Sequence, residues 1–200
     1  VSLRVPNLAA ITVTGSGSIG ATTALEIGPR TAGAAFVAGV PGGVTTPLLR
    51  LGQTSTDGNI TAGALSVANG TPITPGIATL ELIGASVSLA DAVTATTAIT
   101  IQATTGDITQ TADGVLTAPS LLARADAGAV LLDDATNAVG TIAGISAAAF
   151  EFTNATALSV GQVGAVTGIE GGAVDLVVVS GNLTQTQIID ATTLLVRTLD

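Results

Sequence analysis

The most informative segment of the chain is Ala98-Ile99-Thr100-Ile101, in which apolar and polar side chains alternate. A period of two is typical of a β-strand with one buried face. We therefore expect the second and fourth side chains of each such segment, here Ile99 and Ile101, to lie in a shared core. The third residue, here Thr100, is expected to face solvent. Four further segments have this form: Ala24-Leu25-Glu26-Ile27, Ala64-Leu65-Ser66-Val67, Thr79-Leu80-Glu81-Leu82 and Ala157-Leu158-Ser159-Val160.

A second recurring element begins with glycine followed by asparagine or aspartate. These residues favour turns, and the Ile-Thr or Leu-Thr pair that comes next has strand composition. We expect a strand to begin at the Ile or Leu of each copy. The element occurs at Gly58-Asn59-Ile60-Thr61, Gly106-Asp107-Ile108-Thr109 and Gly181-Asn182-Leu183-Thr184.

Leu-Leu pairs start at Leu48, Leu121 and Leu194, two equal steps along the sequence. A fixed step is the signature of repeat architecture, so the pairs are predicted to occupy equivalent positions in three coils. Coils of roughly 20 residues would give about nine or ten coils and a rod on the order of 45 Å long. The alternative for residues 120–137 is an Ala/Leu-rich helix, against which Gly128 and the β-branched neighbours favour strand.

Composition points to the same fold class. Val, Ile and Thr make up about a third of the chain, and these residues fit a pleated surface. The aromatic residues are Phe36, Phe150 and Phe152, so a core must be filled mainly by stacked aliphatic layers. The prediction is an all-β, right-handed parallel β-helix that forms a single repeat region over residues 1–200.

The absence of some residue types and the net negative charge exclude several functions. The chain has no Cys and no His, which removes disulfides, thiol chemistry, Ser-His-Asp catalysis and the usual zinc sites. The formal charge is −9, so nucleic acid and anionic membranes are poor partners. No segment reads as a membrane-spanning helix. The cations are Arg4, Arg30, Arg50, Arg124 and Arg197.

Two runs carry a family resemblance. The first comprises Gly106-Asp107-Ile108-Thr109-Gln110-Thr111, Leu121-Leu122-Ala123-Arg124-Ala125, Gly128-Ala129-Val130-Leu131-Leu132 and Asn137-Ala138-Val139-Gly140. The second comprises Phe150-Glu151-Phe152-Thr153-Asn154-Ala155 and Ala157-Leu158-Ser159-Val160-Gly161. Together they resemble the central repeats of filamentous-haemagglutinin-like exoproteins, over about residues 58 to 200.

The resemblance implies a right-handed parallel β-helix that is secreted by a two-partner or autotransporter route. Such a chain is exposed as a fibre on a Gram-negative cell and serves adhesion or biofilm cohesion. The family's amino-terminal secretion domain carries an Asn-Pro-Asn motif, which Val5-Pro6-Asn7-Leu8 matches poorly. We therefore expect either an internal fragment of a longer protein or a different export route.

Gly15-Ser16-Gly17-Ser18-Ile19-Gly20 follows strand-like residues and matches the dinucleotide-binding glycine pattern. The acidic residue expected about twenty positions later is absent, since residues 33–36 contain none, and residues 21–27 alternate like a strand. A glycine-rich turn is therefore expected, and no cofactor.

Asp133 and Asp134 could hold a metal or act as an acid/base pair, as two carboxylates do in glycoside hydrolysis. The sequence Ala135-Thr136-Asn137 that follows favours a turn instead. The remaining aspartates considered, Asp107, Asp113, Asp126 and Asp175, are also expected at turns, without the spacing of a calcium loop.

Thr-x-Thr segments could form an ice-binding or carbohydrate-binding ladder on one flat face, but their uneven intervals predict that they do not all align. They lie at Thr12-Thr14, Thr54-Thr56, Thr94-Thr96, Thr109-Thr111 and Thr184-Thr186. Four Asn-x-Ser/Thr sequons are interpreted as turn residues: Asn59, Asn69, Asn154 and Asn182.

The sequence thus predicts a structural or adhesive fibre protein, extracellular or on the bacterial surface, with no catalytic, cofactor-binding or metal-binding residue. A glycan- or ice-binding solenoid is the first alternative and a polysaccharide-degrading β-helix enzyme the second. Neither end has a recognisable cap. We expect each end to be covered by more of the parent chain or by another copy, end to end, and host or matrix glycans are the expected partners beyond that.

Overall fold

The computed structural model describes residues 1–5, 19–38, 40, 44–55, 59–73, 76–133 and 137–199. Within these ranges the regular secondary structure consists of β-strands alone. The strands pair in parallel except in two short hairpins. The strands are β1 Ser2–Val5, β2 Ile19–Gly20, β3 Leu25–Pro29, β4 Phe36–Ala38, β5 Val44–Leu51, β6 Gln53–Thr54, β7 Ile60–Val67, β8 Ile77–Leu89, β9 Val93–Thr94, β10 Ala98–Ala103, β11 Ile108–Gln110, β12 Leu116–Ala125, β13 Val130–Leu132, β14 Ala138–Ser146, β15 Ala149–Asn154, β16 Leu158–Val160, β17 Gln162–Val163, β18 Val166–Thr167, β19 Ile169–Val178, β20 Leu183–Gln185 and β21 Ile189–Thr198.

Parallel strands of successive coils stack, so that each residue lies on its equivalent one turn earlier. On the first ladder, which begins at β1 and ends at β21, this stacking produces a continuous inward column. The described residues form about eight turns, which confirms the predicted parallel β-solenoid. The column consists of Leu3, Ile27, Leu51, Leu82, Ile101, Ala123, Gly144, Ile169 and Ile189.

A second ladder begins at β4 and also ends in β21. A third stack contains shorter strands, in which Val93 lies beside Leu116, together with Ile73, which forms an isolated bridge to Val93. Buried side chains of all three form one hydrophobic core. The inward column of the second ladder consists of Phe36, Leu65, Val87, Ile108, Val130, Phe150, Val174 and Leu194.

The turns of the solenoid differ in length. On the first ladder, the turn from Leu51 to Leu82 contains many more residues than the next turn, from Leu82 to Ile101. The longer turn contains the antiparallel pair β6 and β7, and a later turn contains the antiparallel pair β17 and β18. Because of these longer turns, the described residues complete about eight turns, slightly fewer than the nine or ten coils predicted.

The alternating segments build the core as predicted. The residues between the core positions are partly exposed at Ser66, Glu81, Thr100 and Ser159. The prediction is wrong for Glu26, which is only 4% exposed because Arg50 and Ser55 lie over its carboxylate and bond to it. The predicted core residues, all buried, are Leu25, Ile27, Leu65, Val67, Leu80, Leu82, Ile99, Ile101, Leu158 and Val160.

The equal spacing of the Leu-Leu pairs is not a structural repeat. Leu49 and Leu121 lie on one inward column of the first ladder. Leu121 is therefore equivalent to Leu49 and not, as predicted, to Leu48. Leu194 lies on the second ladder, over Val174. Because the turns vary in length, equal sequence spacing does not keep residues on one column.

The other local predictions agree with the structure. Strands begin at Ile60, Ile108 and Leu183, as the glycine-led element indicates, although Gly58 lies outside the described residues. Residues 116–125 and 130–132 are strands, so the helix alternative for residues 120–137 does not hold over its described part.

Candidate functional site

Charged side chains on the outer side of the first ladder join three successive coils. Arg50 Nη1 donates to Glu26 Oε1 at 2.8 Å, and Arg50 Nε donates to Glu81 Oε2 at 2.5 Å. The Ser55 backbone N–H donates to Glu26 Oε2 at 3.0 Å, and the Ser55 hydroxyl bonds to Glu26 Oε1. The two carboxylates are therefore held by a shared cation, an arrangement that fixes the register of neighbouring coils.

Amide side chains stack at one corner of the solenoid. Asn137 Oδ1 accepts hydrogen bonds from the Leu116 backbone N–H at 2.9 Å and from Gln110 Nε2 at 2.6 Å. Asn137 Nδ2 returns a bond to Gln110 Oε1 at 3.1 Å. These bonds satisfy polar groups at a buried corner, where an unpaired group would destabilise the fold.

Asn154 occupies the same corner one coil later. Its Oδ1 accepts from the Val139 backbone N–H and its Nδ2 donates to the Val139 carbonyl, each at 2.9 Å. Its interpretation as a turn sequon is wrong, because Asn154 ends β15 and is fully buried. Asn59, by contrast, has a φ of 49°, which fits the predicted turn.

Acidic side chains gather on the outer side of the second ladder. Asp133, Glu151, Asp175 and Arg197 line a surface depression of about 300 Å³. Glu151 lies directly on Asp175, and Arg197 Nη2 bonds to Asp175 Oδ2 at 2.8 Å. Asp175 is in β19, so its predicted turn position is wrong, whereas Asp134 lies outside the described residues.

The depression supplies two adjacent carboxylates, the chemistry that a glycoside hydrolase would need. One of them, Asp175, is already paired with arginine. In the described part of the chain, no group of three or more acidic residues is close enough to hold a metal ion. The sequence does not single out Glu151 as a site residue, because only the stacking of coils brings it beside Asp175.

A groove of about 450 Å³ runs beside the β17–β18 hairpin and is lined by Arg124, Ile145, Glu170, Ile188 and Asp190, among others. Ile145, Glu170 and Asp190 are stacked in three successive coils. The groove therefore presents charged groups of both signs around an apolar floor, at the outer face of the last coils.

The Asp126 carboxyl, which directly follows β12, has a pKa below its usual value. Burial opposes its ionisation, but hydrogen bonds from Gln102 and Arg124, with the charge of Arg124, hold the pKa below its usual value. Gln102 Nε2 bonds to Asp126 Oδ2 at 2.8 Å across neighbouring coils. This cluster, like Glu26–Arg50–Glu81, links neighbouring coils.

The structure describes only parts of the remaining predicted motifs. Of the glycine pattern at residues 15–20, the structure describes Ile19 and Gly20, which form strand β2. The described Thr-x-Thr residues do not share one column: Thr94 lies beside Thr117, Thr109 beside Ser88, and Thr184 beside Ser159. This confirms that they do not form one flat face. Thr12, Thr14 and Thr56 lie outside the described residues.

The last coil differs from the others because its core-type side chains are exposed. Strand β21 pairs with β19 on one side, and no strand of the described residues pairs with its other side. Leu194 and Val196, which continue inward columns of the second ladder, are 52% and 42% exposed. In the described residues, the last coil therefore presents apolar side chains beside the outer edge of β21.

Comparison of the chain with protein-family models, curated proteins and solved structures finds no match. The described residues contain no helix of the length and apolarity needed to cross a membrane. The function must therefore be argued from the architecture and surfaces of the solenoid.

Proposed function

We propose that the chain is a structural or adhesive rod of an extracellular or bacterial cell-surface fibre, and that it has no catalytic activity. The observation that carries the proposal is the stacked architecture, in which two continuous ladders run along the molecule and end together in β21. A solenoid transmits contacts only between neighbouring coils, so it suits an extended spacer or display surface.

The placement of polar groups supports a mechanical role. The best-connected ion pairs, Glu26–Arg50–Glu81 and Asp175–Arg197, join neighbouring coils. The buried amides of Asn137 and Asn154 bond to backbone groups of the preceding coil. These side chains hold the stack in register, and such a role does not require a reacting group.

The formal charge of −9 disfavours anionic partners such as nucleic acid. Neutral host or matrix glycans and further solenoid coils are the partners we propose, the latter as a continued parent chain or as another copy. The groove beside the β17–β18 hairpin offers hydrogen-bonding groups from Arg124, Glu170 and Asp190 to a glycan.

Labelling of cells tests the proposed location. Antibodies against the folded chain should decorate intact cells of the source organism, and protease treatment of those cells should remove the label. Beads coated with the chain should adhere to matrix glycans, whereas beads coated with a variant unfolded by Ile101→Asp should not. Label that is reached only after permeabilisation would overturn the proposed location, and beads that do not adhere would exclude the adhesive role and leave the structural one.

A cleavage screen tests the absence of catalysis. Neutral and acidic polysaccharides incubated with the chain should remain uncut. Turnover that Asp133→Asn or Glu151→Gln abolishes, while Asp113→Asn leaves it intact, would show that the acidic depression is an active site.

A further inference from the structure

The β17–β18 hairpin forms one wall of the groove of about 450 Å³ that runs beside it. The Gly168 backbone N–H donates to the Gly161 carbonyl at 2.8 Å, and the Gly168 carbonyl accepts from the Gly144 N–H in β14 at 2.9 Å. Gly168 has a φ of 74°, and a Cβ atom there would collide with the Ile188 carbonyl oxygen. Main-chain contacts therefore fix the hairpin against two of the coils that line the groove.

The groove follows a single column of side chains on the outer side of the first ladder. Arg124, Ile145, Glu170 and Asp190 are stacked in four successive coils. Because neighbouring parallel strands lie about 4.8 Å apart, the coil of Ile145 holds Arg124 and Glu170 roughly 10 Å apart. Arg124 bonds instead to Asp126, which directly follows its own strand. The guanidinium group thus does not neutralise the carboxylates of the groove.

Glu170 and Asp190 carry charge that no arginine compensates. Both side chains are exposed, and they are stacked in neighbouring coils, so two negative charges lie side by side. Within the residues that the structure describes, neither carboxylate takes part in an ion pair. Glu26 and Glu81, by contrast, share the cation of Arg50. A cation from outside the chain would supply at the groove what Arg50 supplies there.

Apolar side chains line the groove next to these carboxylates. Ile188 is 76% exposed, and Val166 of the hairpin and Ile145 are partly exposed. Arg124 and Thr167 add hydrogen-bonding groups to the lining. Because the groove lies on the outer side of the ladder, further coils beyond β21 would extend it and not cover it. The lining matches a ligand that combines positive charge, an apolar face and hydroxyl groups.

We propose that this groove binds a cationic amino-sugar polymer, a polysaccharide whose sugar units carry free ammonium groups. An ammonium group would lie between Glu170 and Asp190, and the apolar face of a sugar ring would lie on Ile145 and Ile188. The formal charge of −9 attracts such a polymer. A peptide matches less well, because β14 and β19 are paired on both sides and leave no edge for its main chain. The inference rests on the proposed adhesive function and assigns this groove a charged glycan in place of a neutral one.

Calorimetric titration of the 200-residue chain with two hexasaccharides tests the charge of the ligand. One is a hexamer of glucosamine with free amino groups, and the other is the fully N-acetylated hexamer, which has the same backbone and no charge. At mildly acidic pH the amino groups are protonated and the carboxylates ionised. The glucosamine hexamer should bind at least about fivefold more tightly, because its ammonium groups pair with two exposed carboxylates. Added salt should reduce this difference.

Matched variants test the place of binding. Glu170→Gln combined with Asp190→Asn should weaken binding of the glucosamine hexamer at least about fivefold, since both ion pairs are lost. Asp113→Asn combined with Asp133→Asn removes the same charge from exposed positions outside the groove and should leave the affinity unchanged. Ile188→Ser should weaken binding without a change of charge. Circular dichroism of each variant verifies folding.

The proposal is overturned if the glucosamine hexamer does not bind, if the acetylated hexamer binds as tightly, or if the two double variants lose affinity equally. Hexalysine that binds as tightly as the glucosamine hexamer, and depends on Glu170 and Asp190 in the same way, would also overturn it, because the groove would then select charge and not a sugar. A chain that labels the cell surface and binds no amino sugar would leave the proposed function standing. Binding by a chain found only inside cells would sustain the groove and overturn the proposed location.

Discussion

Two neighbouring strands of the second ladder carry similar residues in opposite environments. Leu176 in β19 is completely buried, whereas Leu194 in β21 is about half exposed. The difference lies in the number of neighbours: β19 is paired with β15 on one side and β21 on the other, and β21 is paired with β19. A side chain of a solenoid is buried by the next coil and not by its own strand.

This dependence makes the stability of the solenoid a sum over neighbouring contacts. Inner coils are stabilised from both sides, and the last coil from one. The same physics explains why apolar side chains of the last described coil are exposed.

The largest expected effect comes from two matched substitutions of leucine by alanine, one in an inner coil and one in the last coil. Leu176→Ala should lower the free energy of unfolding by about 2 to 5 kcal/mol, because it leaves a cavity between two coils. Leu194→Ala should cost less than about 1 kcal/mol in the monomer, since half of the side chain already contacts water. Urea unfolding monitored by circular dichroism measures both. Equal losses would mean that the last coil is covered in solution.

A second pair compares buried and turn asparagines. Asn154→Ala should destabilise the fold by about 1 to 3 kcal/mol, because it leaves the buried N–H and C=O of Val139 without their side-chain partner. Asn182→Ala, at a sequon in the later coils, should change stability by less than about 0.5 kcal/mol. Thermal unfolding of both variants provides the measurement. A neutral Asn154→Ala would show that the amide corner is not needed for stability.

The alternation of apolar and polar residues is enough to predict the core. Leu80, Ile99 and Leu158 are buried as expected, since period-two patterning assigns a strand's faces whatever its neighbours are. The pattern does not show which strands stack, because that depends on the turn lengths. It therefore assigns Glu26 to solvent, although the stacking of Arg50 and Ser55 covers this residue.

The outer features depend on stacking even more strongly. Glu151 and Asp175 belong to different strands that are distant in sequence, and they become neighbours only when their coils stack. The equal spacing of Leu121 and Leu194 is misleading for the same reason, because the intervening turns differ in length. Local composition predicts strands and turns, whereas coil register is a non-local property.

A third test concerns how tightly inner coils pack. A Cβ atom at Gly144 would lie 2.2 Å from Cε2 of Phe150 and 2.7 Å from the carbonyl oxygen of Ala123. Gly144→Ala should therefore cost about 1 to 3 kcal/mol through overpacking. Gly20→Ala, where the nearest atom is 3.9 Å away, is the matched control substitution in β2.

Part of the Gly144→Ala loss should return in the double variant with Phe150→Leu, which removes the ring. A double-mutant cycle by urea unfolding isolates that coupling. Additive effects of the two substitutions would show that neighbouring coils separate enough to accommodate the methyl group. The inner coils would then be packed less tightly than their burial from both sides implies.

The smallest expected effect concerns ionic contacts on the outer side of inner coils. The pKa of Asp126 is lowered in the folded chain, so its ionised form stabilises the fold above the unfolded pKa of about 4. That contribution is lost as pH falls through the lower pKa of the folded state. The stability difference between the chain and Asp126→Asn should thus be largest at neutral pH and shrink toward pH of about 3. Its size should stay below about 1 kcal/mol, because Asp126 and Arg124 are 27% and 43% exposed.

Urea unfolding at several pH values measures this difference, and in an Arg124→Gln, Gln102→Ala background it should vary less with pH. A difference that grows on acidification would contradict the assigned direction of the shift, and one of several kcal/mol would mean that outer ion pairs rival burial in holding the coils together.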